Sequence, residues 1–335
     1  MALLVVVMVI GWRIPLPGLD LDRARPYFLS GAALSNLSIF ALGVFPLFTI
    51  MAYAETAKLA VPPLARWQTS SIRNARRLAM IVFALSLALA AWEGYGVLVA
   101  LAGSEILRPE TGIVVAALAS FIGCTALTIW LADDLGFPEL GGGFWPLMAI
   151  PTLLDFPGQI SELITMFRTR MTQGDQLLIV GLSLLAAILL VVFANLLLSR
   201  NGRASGIART SIQLWPPYLA SMVAGFATIL LPAEMPGWPF VAPSFFEVAH
   251  LTMAVIFIPI FVFAYAHSFR LSQPDGSTCW PWPVLLAVAA IQIAVSIGAW
   301  LLPAYWGLPL SLSGGELLVV GTVMLALRGS QRQVA

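Results

Sequence analysis

The sequence predicts an all-α polytopic membrane protein with about ten transmembrane helices in two inverted five-helix halves, residues 1–172 and 173–335. Three observations predict it. The 335 residues are 60% hydrophobic and 10% charged, with a mean hydropathy of +0.93, whereas soluble domains carry roughly 25% charge. Apolar stretches of the length a bilayer demands recur along the whole chain. An interrupted apolar segment is repeated half a chain apart: Phe45-Pro46-Leu47-Phe48 and Trp215-Pro216-Pro217-Tyr218 both read aromatic-Pro-x-aromatic, offset by 170 residues. A span tolerates such prolines only where the backbone groups they free find partners or line a cavity. A pair at corresponding places in two halves points to a functional centre at a repeat interface.

Taken in order, the first apolar stretch is 1–14. Met1 to Trp12 lacks a basic leader and an Ala-x-Ala site, so a cleaved signal peptide is not expected. Twelve helical residues reach only about 18 Å, against roughly 30 Å of hydrocarbon. The second stretch, 37–57, contains Phe45–Phe48; the third and fourth are 78–102 and 112–132. The fifth, 143–168, is broken by Pro146, Pro151 and Pro157 and carries Asp155. The sixth, 176–198, runs clean to Ser199-Arg200, and the seventh, 213–232, opens on Trp215-Pro216-Pro217. Stretches 244–268, 281–302 and 311–328 complete the ten. Five spans per half make the two copies antiparallel, so the paired motifs enter from opposite sides.

With the N-terminus in the cytoplasm, eleven of the 17 Lys and Arg fall on the cytoplasmic side: Lys58, Arg66, Arg73, Arg76, Arg77, Arg200, Arg203, Arg209, Arg270, Arg328 and Arg332. This places both termini inside. A net charge of +1 gives no footprint for nucleic acid. Cys124 and Cys279 read as free thiols, and His250 with His267 cannot make a metal site alone. No cofactor or metal is expected. With no nucleophile–base pair, His-Glu-x-x-His or Gly-x-Ser-x-Gly, an enzyme is not expected either.

Five motifs resemble the SecY family, the pore subunit of the protein-conducting channel, in the family's order. They are Ile14-Pro15-Leu16-Pro17-Gly18-Leu19-Asp20, Ser30–Ser35 followed by Ser38–Pro46, Trp130-Leu131 ahead of Gly141-Gly142-Gly143, Trp215–Ser221 ending at Leu231-Pro232, and Ser313–Val320. The resemblance implies a clamshell around an hourglass pore, with a gate opening sideways to lipid. It implies a ring of apolar side chains at Val44, Phe48, Met148, Tyr218 and Val319, where Phe48 and Tyr218 are larger than the family's usual aliphatic residues. Such a ring gates by dewetting. Ordinary helix packing is the alternative reading of the five. The resemblance further implies a lateral gate with Thr49, Glu93 and Phe226, and a plug segment at 21–34 that includes Tyr27, Phe28, Ser30 and Gly31. Glu247 and Glu316 lie near span ends and read as interfacial.

Implied partners are SecE-like and SecG-like small subunits, unfolded secretory or membrane polypeptides, the lipid bilayer, and SecA or the ribosome on the cytoplasmic loops of a bacterial inner-membrane protein. Those loops depart from the family. The first shrinks to about 199–213 with Arg200, Arg203 and Arg209, the second to 268–279 with Arg270, and Asp133, Asp134 and Glu139 make another turn acidic. Short, weakly charged loops form a poor electrostatic landing site. Two functions therefore stand: a protein-conducting channel, or a SecY-derived scaffold or accessory protein that no longer translocates. A secondary transporter of another fold ranks below both.

Overall fold

A computed structural model describes the chain apart from residues 1, 21–22, 24–36, 108–109, 135–136, 138–139, 202–204, 231–242, 273–279, 307–313 and 335. Among the described residues every regular element is a helix. In order they are α1 (Ala2–Arg13), α2 (Phe45–Ala60), α3 (Pro62–Thr69), α4 (Ile72–Gly103), α5 (Thr111–Asp134), α6 (Phe144–Arg168), α7 (Gly174–Asn201), α8 (Gly206–Leu230), α9 (Pro243–Ser272), α10 (Trp282–Trp306) and α11 (Gly314–Val334). Among the described residues five stretches are long and apolar enough to cross a bilayer: Ile72–Gly103, Thr111–Asp134, Gly174–Arg200, Leu251–Leu271 and Trp282–Ala299.

Three expected elements differ in detail. The stretch 37–57 is not one span, because its helix starts only at Phe45 and residues 37–44 form turns. The stretch 143–168 is one continuous helix that carries Pro151 and Pro157 internally. The seventh helix opens at Gly206 rather than near Trp215, which puts Pro216 and Pro217 inside it. Residues 62–69, between the second and third apolar stretches, form α3. Its corner with α4 is held by Asn74, whose amide donates to the Trp67 carbonyl at 3.1 Å and the Ser70 hydroxyl at 3.0 Å. Ser71 caps α4 by accepting from the Asn74 backbone N–H.

The chain packs as two compact units, one of residues 1–136 and 142–147, the other of 137–141 and 148–335. This boundary describes packing, and the repeat boundary expected at 172/173 describes internal repetition. In the first unit, α4 turns Ser86, Ala90, Gly94 and Leu98 inward, one residue per turn. Small residues at this spacing let helices approach closely. Gly94 lies against the Phe121 ring of α5, which is fully buried. Leu16, Leu98, Leu107, Ala117 and Phe121 form one apolar cluster.

The segment 14–20 is held from two sides. Leu16 N–H donates to the Leu37 carbonyl at 3.1 Å and Ile39 N–H to Ile14 at 3.0 Å, while Asp20 N–H donates to Ile106 at 2.8 Å. Pro17-Gly18 forms the corner between them, with Gly18 at φ +80° and Leu19 N–H returning to the Leu16 carbonyl at 3.3 Å. That is the Pro-Gly pattern of a type II turn, in which only glycine sits without strain at the second corner. A side chain there would also collide with Ile113.

Candidate functional site

The two aromatic-Pro-x-aromatic segments meet the demands of their prolines in different ways. In the first unit, Pro46 falls in the opening turn of α2, where no intrahelical partner is lost. The irregular backbone ahead of it is satisfied locally. Ala41 N–H donates to Ser38, Gly43 to Phe40 and Phe45 to Leu42, at 2.8–3.1 Å. The buried Ser38 hydroxyl accepts from Phe40 N–H at 3.2 Å. Irregular backbone inside an apolar unit survives only on such terms.

In the second unit, Pro216 and Pro217 sit within α8 and have no N–H to give. The carbonyls one turn earlier, of Ile212 and Gln213, are therefore released from the helical ladder. Gln292 of α10 supplies the missing donors. Its Nε2 lies 2.8 Å from the Ile212 oxygen and 3.0 Å from the Gln213 oxygen, and its side chain is fully buried. An amide NH2 carries two donors, so one side chain replaces both absent N–H groups. Two carbonyls on one side also fix which end of the amide faces them. The Gln213 side chain donates in turn to the Val191 carbonyl of α7 at 3.3 Å. Trp280 Nε1 donates at 2.8 Å to Leu198, one of the carbonyls left open at the end of α7.

The residues expected to line a pore divide between the units. In the first, Val44 is buried ahead of α2. Phe48 stacks on Phe144, at the start of α6, with centroids 6.3 Å apart and an interplanar angle of 4°. Phe144 meets Trp145 edge-on at 4.9 Å. The preceding glycines shape this entry: Gly142 adopts φ +125°, a conformation closed to other residues, and Gly143 N–H donates to the Ala132 carbonyl at 2.9 Å. Thr49 and Glu93 are half-buried, and no hydrogen bond joins them among the described residues.

In the second unit, Met148 and Tyr218 are half-buried and Val319 is 1% exposed. Tyr218 packs on the start of α11, where a Cβ on Gly315 would lie 3.1 Å from its ring and 3.3 Å from its hydroxyl oxygen. Val319 is one turn further along α11 on the same face. Phe226 lies exposed on α8.

No family model matches the chain. It is 25% identical over 266 residues to the protein translocase subunit SecY of Pseudomonas aeruginosa, covering 70% of this chain and 59% of that protein. To SecY of Escherichia coli K12 it is 25% identical over 212 residues, covering 57% and 47%. To SecY of Buchnera aphidicola subsp. Acyrthosiphon kondoi it is 24% identical over 267 residues, covering 70% and 74%.

The chain is a divergent SecY-like protein.

It spans about half the length of the first two SecY proteins it matches. The SecY-like loops are shorter than their sequence suggests. Most of the expected loop 199–213 is helix, since α7 ends at Asn201 and α8 begins at Gly206. Arg200 and Arg270 are exposed near the ends of α7 and α9, and Arg209 is half-buried in the first turn of α8. Arg203, Cys279, Glu139 and the residues expected in a plug, Tyr27, Phe28, Ser30 and Gly31, lie outside the described residues. Sequence reading missed Gln292. Its signal is a lone amide in the apolar run Ile291-Gln292-Ile293, and a polar side chain within a span is costly unless it has a task.

Proposed function

We propose that this SecY-like chain is a protein-conducting channel subunit, which passes unfolded polypeptides across a bacterial inner membrane or releases them sideways into lipid. In this reading ten spans form two inverted halves, with both termini in the cytoplasm. Val44, Phe48, Met148, Tyr218 and Val319 make the constriction. Thr49, Glu93 and Phe226 belong to the lateral gate, a SecE-like helix braces the halves, and the protein performs no bond chemistry of its own.

The observation that carries the reading is that both Pro segments persist and each, in its own way, leaves its backbone polar groups partnered. Non-standard backbone is kept in both units at corresponding places, and in each its polar groups are supplied with partners. A membrane protein with no use for an interrupted span gains nothing by keeping two.

A second reading has its own support. Only four residues separate α7 from α8, too few for an extended docking surface. That favours a scaffold that no longer translocates. Crosslinking separates the two. A photoreactive residue at Phe48 or Tyr218 is expected to capture a stalled secretory chain in membranes holding a SecE-like subunit, and only when the chain is threaded. Dependence of the crosslink on a SecA-type motor would establish that the short loops still dock one. A folded protein that gives no crosslink at either position with the subunit present would favour the scaffold.

A further inference from the structure

Within the unit of residues 137–141 and 148–335, the late turns of α7 and α11 and the first turns of α8 line a half-open cavity of about 200 Å³. Its polar lining is Asn195 from α7, Arg209, Thr210 and Gln213 from α8, and Thr322 from α11. Among the described residues no acidic side chain lines it. Thr322 is 2% exposed, and its hydroxyl is buried with no hydrogen-bond partner among the described residues. A threonine in a helix commonly returns its hydroxyl to the carbonyl one turn back, as Thr128 does to Cys124 at 2.8 Å. Thr322 does not. The Nε of Arg209 is likewise buried and unpartnered among these residues. Polar hydrogens left unmet in an apolar bundle are expensive, and both belong to residues that line this cavity.

Three features select the ligand's chemistry. The guanidinium of Arg209 offers a planar fork of donors that matches the oxygens of a phosphate. Gly206, the first residue of α8, also lines the space, so the positive end of the helix dipole adds to the charge. The size is intermediate: one water occupies about 30 Å³, and drug-sized ligands occupy roughly 300–1,000 Å³. Exposed Arg200 and Arg328, one turn beyond Leu196 and Leu325 of the lining, keep this end of the bundle basic.

We propose that the cavity between α7, α8 and α11 binds a phosphate group, either as a free anion or as the headgroup of an anionic phospholipid. The proposal is independent of translocation, since its readout is binding alone.

The test uses the full chain in delipidated detergent, titrated with inorganic phosphate against matched chloride and followed by thermal unfolding. In parallel, protein from mixed phosphatidylglycerol and phosphatidylcholine micelles is examined by native mass spectrometry for retained lipid. Either a phosphate-dependent rise in unfolding temperature or preferential retention of phosphatidylglycerol is expected. The first response assigns the free anion, and retention without it assigns the headgroup. Arg209→Gln is expected to weaken the response about tenfold or more, through loss of a charge-assisted contact. Thr322→Val keeps the shape and is expected to weaken it severalfold. The absence of both responses overturns the proposal, as does a response unchanged in the folded variants. If Arg209→Gln does not fold, Thr322→Val decides.

Discussion

Replacing Gln292 by leucine is expected to destabilise the protein by about 1–3 kcal/mol: two buried carbonyls lose their donors at about 1–3 kcal/mol each, offset in part because the Gln292 Oε1, buried without a partner among the described residues, is removed as well. The carbonyls are those of Ile212 and Gln213, which Pro216 and Pro217 have already removed from the helical ladder. Leucine is one bond shorter than glutamine but of comparable bulk, so packing is largely kept and the hydrogen bonds dominate the loss. A double-mutant cycle isolates them. Converting Pro216 and Pro217 to alanine returns two N–H groups to α8 and lets the helix satisfy its own carbonyls. In that background Gln292→Leu is expected to cost far less, since the freed amide has no task left. Denaturant titration of the four proteins in micelles measures the coupling. Equal costs of Gln292→Leu in both backgrounds would show that Gln292 is an ordinary core residue.

At Gly314, substitution by alanine is expected to cost about 1–3 kcal/mol, the range for forcing an extra carbon into a packed core. The sign is informative, because in a helix alanine normally outranks glycine by up to about 1 kcal/mol. The reversal comes from the neighbour. A Cβ on Gly314 would lie 2.7 Å from the Ser296 backbone nitrogen and 2.8 Å from the Val295 carbonyl oxygen of α10. Backbone atoms within a helix cannot swing aside, so α10 and α11 would have to separate. The adjacent Gly315 faces the Tyr218 ring at 3.1 Å, and a side chain can give. Gly315→Ala is therefore expected to cost less than Gly314→Ala in the same unfolding measurement. The reverse order would place the tight contact at Tyr218.

Much of this was legible in the sequence for identifiable reasons. Apolar runs set the helices, and no soluble surface competes with them, so runs such as 78–102 and 176–198 lie inside α4 and α7. The two Pro motifs announced that released backbone groups would need partners. They did not say which. Phe45-Pro46 and Trp215-Pro216-Pro217 read alike, yet one begins a helix and the other lies inside one. The difference lies in what precedes them: Gly43 just ahead of Pro46, against the unbroken run from Gly206 to Leu214 ahead of Pro216. The donor Gln292 was out of reach because a lone amide in an apolar run names no partner. The cavity was hidden for a related reason. Arg209 and Thr322 are 113 residues apart in sequence, and Arg209 read as part of a cytoplasmic loop until α8 proved to begin at Gly206.

The bond between Gln292 and Ile212 also has a consequence in time. The two residues are 80 positions apart, and a ribosome adds roughly 5–20 residues per second. Once Ile212 has been made, about 4–16 seconds pass before Gln292 exists at all. Through that interval α8 is a helix with a gap in it, too polar at one turn to rest in hydrocarbon unaided, and it must wait beside water or a borrowed donor. Chains arrested after residue 275, with Ile212 clear of the ribosome and Gln292 not yet made, are expected to leave a cysteine placed at Ile212 open to aqueous thiol reagents, and chains arrested after α10 has emerged are expected to protect it. The last helices of this protein thus finish the folding of an earlier one.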